Sequence, residues 1–232
     1  MTDLLKQQAF EAVDRKLRPV SIAEIGGFRP PAEPRTSWFG GKFVLPPAES
    51  WPVSKNGLMI PLLQVAVEEL PYKPPQFEGI AMVQVFVDAK ELPLNLPAKN
   101  GEGWQLIVRT DSSGLEPRAT PPEAALLRPF PIRWSRAEND APSWDEAWDD
   151  RQHEKFMRRP SAGDAYSRKY QSHPFTKIGG WPAWIQSAVE PGGKHFVLQI
   201  ASAEKPRWMV GDNGNLYVFE VEGEWLLQWD CY

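Results

Sequence analysis

Cysteine is almost absent from this chain of 232 residues, in which Cys231 is the only one. A disulfide needs two cysteines, so no disulfide framework is available, and this composition favours a reducing compartment. Histidine is also scarce, and its three residues show no zinc-like spacing. The scarcity of both residue types leads us to expect no metal, no cofactor and no catalytic dyad built on Cys or His.

Long apolar runs and blocks of basic residues are missing too. No stretch approaches the ~18 apolar residues of a membrane span, and the first residues lack the apolar core of a secretory signal. We therefore expect a cytoplasmic protein with no membrane partner. The net charge is −4 and the basic residues are scattered, so we expect no nucleic-acid partner.

Tryptophan and proline are abundant instead, with 11 and 24 residues. Tryptophan supplies much apolar area from few residues, while proline interrupts regular structure. Together they indicate short strands and helices joined by rigid connections. A core that uses tryptophan is favoured over an aromatic ligand platform.

Hydrophobic patterning predicts one N-terminal helix and a series of strands. The helix spans 3–17. The strands span 58–67, 80–87, 104–109, 195–201, 215–221 and 224–229. Two capping boxes, at 120–123 and 143–146, predict two further helices, the second running to Pro160.

The second capped helix carries its acidic residues early and two arginines late. Asp145, Asp149 and Asp150 lie in its first half, which suits the helix dipole and favours a role in stability. The same residues also leave an exposed acidic surface for a partner. Both interpretations stay open.

One pattern occurs twice, at similar intervals, which predicts an internal duplication. Each copy has a Gly-Gly loop, a strand with a Leu-Gln-aliphatic segment, and a strand ending in Val-Phe-x-Val. The copies contain Gly40-Gly41, Gln64 and Phe86, and Gly179-Gly180, Gln199 and Phe219. We therefore predict an α+β fold of two related antiparallel-sheet units with peripheral helices, in which Gln64 superposes on Gln199 and Phe86 on Phe219. The expected segments are a lead-in over 1–35, a first unit over 36–88, an insertion with two capped helices over 89–174, and a second unit over 175–232.

These motifs resemble the YwqG-like family, bacterial proteins of uncharacterised function. The matching segments are Gly40-Gly41, Trp51-Pro52, 62–65, 177–180, 197–200 and 211–214 leading to Phe219. The resemblance covers about 36–230 and is closer in the second half, since Phe43 stands where the family's first loop usually has proline. It implies a duplicated α+β fold and no particular chemistry.

Two pairs of residues are candidate binding groups. Gln64 and Gln199 occupy matching places in aliphatic strands, where a buried amide needs hydrogen-bond partners. They either bond to neighbouring loops or line a pocket between the two units. Trp181 and Trp184 flank Pro182 beside the second Gly-Gly loop, where they serve either recognition or as a lid over the core.

These features predict a non-enzymatic protein-binding module. An acidic, tryptophan-rich chain suits neutralisation of a basic toxin, and the resemblance supports such an immunity role because some relatives are thought to be encoded near secreted toxins. The expected contacts are Asp145, Asp149, Asp150, Trp181 and Trp184. The alternative is a small-ligand or peptide sensor that uses the cleft between the two units, and a third possibility is an enzyme with a carboxylate-based site.

Overall fold

The computed structural model describes residues 3–148 and 160–232, and an antiparallel sheet of eleven strands dominates them. The helices are α1 (Asp3–Asp14), α2 (Trp144–Ala147) and α3 (Pro160–Lys169). The strands of the large sheet, in spatial order, are β8 (Ala98–Lys99), β15 (Glu224–Asp230), β14 (Asn215–Val221), β13 (Phe196–Ala201), β12 (Lys177–Gly179), β1 (Arg18–Ile25), β11 (Phe130–Asp140), β2 (Trp38–Phe39), β6 (Ile60–Ala66), β7 (Met82–Val87) and β9 (Trp104–Arg109). Two small sheets pair β3 (Lys42–Leu45) with β10 (Glu116–Ala119), and β4 (Val53–Ser54) with β5 (Gly57–Leu58).

The predicted α+β class with two duplicated units is wrong. The protein is mostly antiparallel β, with one curled sheet and only 12% helix. Strands β1 and β11 are the reason, because they pair with each other in the middle of the sheet. β1 also pairs with β12 and β11 with β2, so both motif-bearing segments join one continuous sheet.

These two central strands escaped the sequence analysis because their apolar pattern is weak. β1 begins with Arg18-Pro19 directly after the N-terminal helix, and β11 alternates buried residues with charged ones on its exposed face. Proline and charged residues are depleted in strands. Burial by neighbouring strands, and not propensity, stabilises them here.

Most other predicted strands are confirmed. β9 and β14 have the predicted bounds, and β6, β7, β13 and β15 differ by a few residues at their ends. The N-terminal helix is confirmed over Asp3–Asp14. The helix predicted from the capping box at 120–123 is only a 3₁₀ turn over Pro122–Ala124. The capping box at 143–146 starts α2, but α2 ends at Ala147 before an extended Trp148, so the helix predicted to run to Pro160 is interrupted there. Residues 149–159 of that prediction lie outside the described residues.

The main core is continuous across the sheet. Leu63, Val85, Leu198 and Val218, from strands of both motif-bearing segments, belong to the same buried cluster as Trp104. The predicted use of tryptophan in the core is therefore confirmed. None of the helices in the described residues is long and apolar enough to cross a membrane.

Candidate ligand-binding cleft

A second, smaller core fixes the short helices at one end of the molecule. Val13 of α1 and Ala147 of α2 are buried there with Tyr166 of α3 and with Tyr170, which directly follows α3. Tyr166 also makes an edge contact with Trp144, with ring centroids 5.3 Å apart. Such aromatic pairs add about 0.5–1.5 kcal/mol beyond their buried area. This cluster forms one wall of a cleft.

The cleft has a volume of about 630 Å³. Its lining residues share aromatic rings, proline rings, and uncharged hydroxyl and amide groups. They include Trp144, Tyr166, Tyr170, Phe175, Trp184, Pro142, Pro174, Pro182, Ser167, Gln171, Ser172, Ser202 and Asn215. No Lys, Arg, His, Asp or Glu is found among the lining residues that the structure describes.

The wall opposite the helices is a loop anchored by Gln199. The Gln199 amide oxygen accepts the Ala183 N–H at 2.9 Å, and its amide nitrogen donates to the Phe175 carbonyl at 3.0 Å. The Tyr217 hydroxyl lies 2.9 Å from the Ala183 carbonyl oxygen and 2.7 Å from Asp230 Oδ1. Burial and the nearby Asp230 charge raise the pKa of Tyr217 far above its usual range, so the phenol keeps its proton.

Trp184 links this loop to α2. Its ring packs against Tyr217, with centroids 4.5 Å apart, and its indole N–H donates to Glu146 Oε2 at 3.0 Å. The other Glu146 oxygen accepts the Gly193 N–H at 2.6 Å. A half-buried carboxylate thus clamps two loops to α2, and Trp184 contributes one face to the cleft.

Trp181 is buried and makes its contacts in the interior of the protein. Its indole N–H donates to the Lys16 carbonyl at 2.8 Å, and the Arg18 guanidinium lies 3.6 Å from its ring centroid. Arg18 also donates to the Gly193 carbonyl at 2.5 Å. For Trp181 the geometry therefore supports a lid over the core.

An ion pair lies buried below the cleft. Lys177 Nζ is 2.9 Å from Asp140 Oδ2, and both side chains are fully buried. The same carboxylate accepts the backbone N–H groups of His173 and Trp181 at 2.7 and 2.6 Å. Burial lowers the pKa of Lys177 to about 8, although the Asp140 charge opposes that shift.

Ser172 connects this ion pair to the cleft. Its hydroxyl accepts a hydrogen bond from Lys177 Nζ at 2.7 Å, donates to the Trp181 carbonyl at 3.1 Å, and lines the cleft. A serine nucleophile needs a neutral base that takes its proton. Here the lysine donates, and the serine proton is directed at a backbone carbonyl. This arrangement supports a scaffold for the cleft floor.

Gln64 lies elsewhere in the sheet, on β6. Its amide oxygen accepts the Val44 N–H at 2.9 Å and the Gln84 amide at 3.0 Å, and its nitrogen donates to the Thr36 carbonyl at 2.9 Å. Neither Gln64 nor Gln199 is among the lining residues of the cleft. The oxygen and the nitrogen of both amides bond to neighbouring backbone, so the geometry supports their structural interpretation.

The predicted acidic contacts are only partly described. Asp145 is exposed in the first turn of α2. Asp149 and Asp150 lie outside the described residues.

Several cleft residues were missed by the sequence analysis. Tyr166 lies in the last turn of α3 and Tyr170 directly follows α3, four positions on, a spacing that places both rings on one side and could have indicated this wall. Asp140 and Lys177 gave no such signal, because a pair 37 positions apart meets only through β1, which separates β11 from β12.

Comparison with known proteins gives a family and no activity. No curated protein matches the chain. The model of a domain of unknown function, DUF1963, matches residues 37–224, a span that contains the cleft loops, Gln64, Gln199 and most of the sheet. This protein therefore belongs to the DUF1963 family.

Proposed function

We propose that this protein is a non-enzymatic binding protein that holds an uncharged ligand, either a small molecule or a short peptide segment, in the aromatic cleft. The observation that carries the proposal is the lining, in which aromatic faces alternate with hydroxyl and amide groups and the described residues contribute no charged side chain. The volume of about 630 Å³ falls in the usual range of ligand pockets, roughly 300–1,000 Å³.

The described part of the lining, which carries no charged side chain, selects against ions. A charged ligand group buried there loses its hydration without gaining an opposite charge, which costs several kcal/mol. A flat, neutral ligand can stack on rings such as Trp184 and hydrogen-bond to neutral side chains such as Gln171, which is exposed in the cleft. The walls are also fixed in advance by Gln199 and Glu146, which lowers the cost of ordering on binding.

A cleft-filling variant tests this proposal. Ser167 is an exposed serine of α3 that lines the cleft, and Ser167→Trp should fill the space. Ser50→Trp is the matched control, since Ser50 is also exposed and is not part of the cleft. Both variants and the wild type would be screened by thermal shift against neutral dipeptide amides and uncharged metabolites, with the corresponding acids as a second set.

We expect neutral compounds to stabilise the wild type and Ser50→Trp but not Ser167→Trp. Ligand at 100 times its Kd stabilises a protein by about 2.7 kcal/mol, which a thermal shift resolves readily. Failure of every neutral compound to stabilise the wild type, or equal shifts with the neutral hits in Ser167→Trp, would refute the proposal.

The immunity role remains a second proposal, which we place in the cytoplasm. It is supported by the net charge of −4, the exposed Asp145 and the resemblance to YwqG-like proteins. Trp184 remains half-exposed for such a partner, whereas Trp181 is buried. Co-expression with a basic product of a neighbouring gene tests it: Asp145→Lys should slow association, most clearly at low salt. Unchanged association kinetics would count against this surface.

A further inference from the structure

A second pocket lies on the small sheet formed by β3 and β10. The Pro-rich segment 31–34 passes beside these strands and closes a space of about 330 Å³. We name this space the Trp38 pocket. Its lining residues are Pro31, Ala32, Pro34, Trp38, Gly41, Lys42, Phe43, Pro117, Arg118 and Ala119.

Two cations line the Trp38 pocket from paired strands. Lys42 Nζ lies 4.9 Å from the centroid of the Trp38 ring. Arg118 donates to the Pro46 and Pro47 carbonyls at 3.1 and 2.8 Å. Among the described residues no carboxylate lies within 4.0 Å of either cation, and the nearby Glu33 pairs with Arg35. The pocket therefore carries two positive charges without a negative partner, in a protein whose net charge is negative.

Trp38 adds an unpaired donor. Its side chain is 3% exposed, and its indole N–H has no acceptor in the part of the chain that the structure describes. A buried donor without an acceptor is costly and uncommon in native proteins. This nitrogen is itself shielded from solvent, so an acceptor atom of a ligand reaches it only if the neighbouring side chains shift.

We infer that the Trp38 pocket binds a carboxylate carried on a flat apolar group. Lys42 and Arg118 supply the charge that a carboxylate needs, because charge-assisted hydrogen bonds are about twice as strong as neutral ones. Trp38, Phe43 and the surrounding proline rings supply apolar faces for the body of the ligand. This chemistry is the opposite of that in the uncharged cleft, so the inference stands independently of the proposed function. The carboxylate belongs either to a free aromatic acid or to the C-terminal residue of a peptide.

The test follows the indole N–H of Trp38 by NMR in the ¹⁵N-labelled full chain. Trp38→Phe assigns the resonance. The probes are benzoate for a free acid, N-acetylphenylalanine for a peptide C-terminus, and N-acetylphenylalaninamide as the uncharged match. We expect a saturable shift of the Trp38 signal with at least one of the acids. The amide should bind about tenfold more weakly than that acid, or not at all.

Variants locate the charge. Lys42→Met and Arg118→Met should each weaken binding of the acid about tenfold. Lys90→Met is the matched control, since Lys90 is exposed and is not part of this pocket, and it should bind as the wild type does. If Arg118→Met fails to fold because the Pro46 and Pro47 carbonyls lose their donor, Lys42→Met carries the test alone.

The probe that binds distinguishes the two possible sources of the carboxylate. Binding of N-acetylphenylalanine alone identifies a peptide C-terminus, and binding of benzoate identifies a free acid; both support the inference. No saturable shift with either acid, equal binding of the amide, or equal weakening by Lys90→Met would overturn it.

Discussion

The loops at the two Gly-Gly pairs are each held by a buried glutamine amide, but their surroundings differ in charge. In the first, the Gln64 amide accepts the N–H of Val44, and in the second the Gln199 amide accepts the N–H of Ala183, both at 2.9 Å. Each amide also donates to a carbonyl of the segment that precedes its Gly-Gly pair. A buried glutamine on a strand thus fixes the course of a neighbouring loop twice.

The surroundings of the two glutamines differ. A chain of side-chain hydrogen bonds runs from Gln64 through Gln84 to Arg109. Arg109 in turn forms a partly exposed ion pair with Glu49. In the second region the buried ion pair lies below the loop, and a collision with Asp140 would exclude any side chain at Gly180. The first loop continues into the cationic Trp38 pocket and the second into the uncharged cleft. The shared motif therefore determines backbone geometry, and the residues after it determine what is bound.

The largest expected difference between the two regions comes from their ion pairs. Lys177→Met should lower the free energy of unfolding by about 3–5 kcal/mol, because it leaves the Asp140 charge buried without a partner. Adding Asp140→Asn should recover part of that loss, because it removes the buried charge but turns an amide nitrogen toward one of the two backbone N–H groups that Asp140 accepts. Arg109→Met, at the partly exposed pair with Glu49, should cost about 1–2 kcal/mol. Urea denaturation measures all three variants.

Equal losses from Lys177→Met and Arg109→Met would break this comparison. A double variant no more stable than Lys177→Met alone would show that the buried ion pair itself, and not the orphaned charge, carries the stability.

The glutamines give the next effect. Gln64→Met and Gln199→Met keep the side-chain volume but leave a backbone N–H and a carbonyl unpaired, at a cost of about 1–3 kcal/mol each. Gln64→Met should be the more costly, since Gln84 loses its acceptor as well. Gln105→Met on β9 is the control, as this half-buried glutamine holds no loop. Denaturant midpoints that match the Gln105→Met value would remove the loop-holding role.

The pH dependence of stability separates the regions further, since only the second contains a buried lysine. Burial lowers the pKa of Lys177 from 10.5 to about 8. Between these values the unfolded chain binds a proton that the folded protein has released. The contribution of Lys177 therefore makes unfolding less favourable as pH rises above 8, by up to about 1.4 kcal/mol per pH unit. Below pH 8 both states bind the proton, and this contribution is constant.

The measurement compares the wild type with the Lys177→Met/Asp140→Asn double variant below pH 8 and at about pH 9.5. The difference in the free energy of unfolding should shift in favour of the wild type as pH rises. A difference that stays flat across this range would show that Lys177 keeps its ordinary pKa in the folded state.

The smallest effect is expected at the cleft floor. Ser172→Ala removes the acceptor for one Lys177 hydrogen bond and the donor to the Trp181 carbonyl, so it should cost about 1 kcal/mol in denaturant unfolding. Ser135→Ala on the exposed face of β11 is the control and should stay within about 0.5 kcal/mol of the wild type. If Ser172→Ala lowers the free energy of unfolding no more than Ser135→Ala does, Ser172 does not stabilise the cleft floor.

The elements whose pattern is local could be predicted from the sequence. The bounds of β9 and β14, the Gly-Gly loops, the burial of Gln64 and Gln199 and the use of tryptophan in the core all follow from spacing and side-chain chemistry. A strand rich in aliphatic residues can be recognised from its own sequence, because its own side chains are the ones that become buried. This reasoning extends no further than a few neighbouring residues.

How those elements combine depends on long-range contacts that the sequence pattern does not show. β1 and β11 are polar along one face and gain their stability from neighbours, so no local signal placed them between the motif-bearing segments. Their insertion made one curled sheet where the repeated motif had predicted two units. The same insertion brought Asp140 to Lys177 and set α2 and α3 beside the Trp184 loop. Contacts between residues far apart in the chain depend on the whole topology, which is why the cleft emerged from the fold and not from a motif.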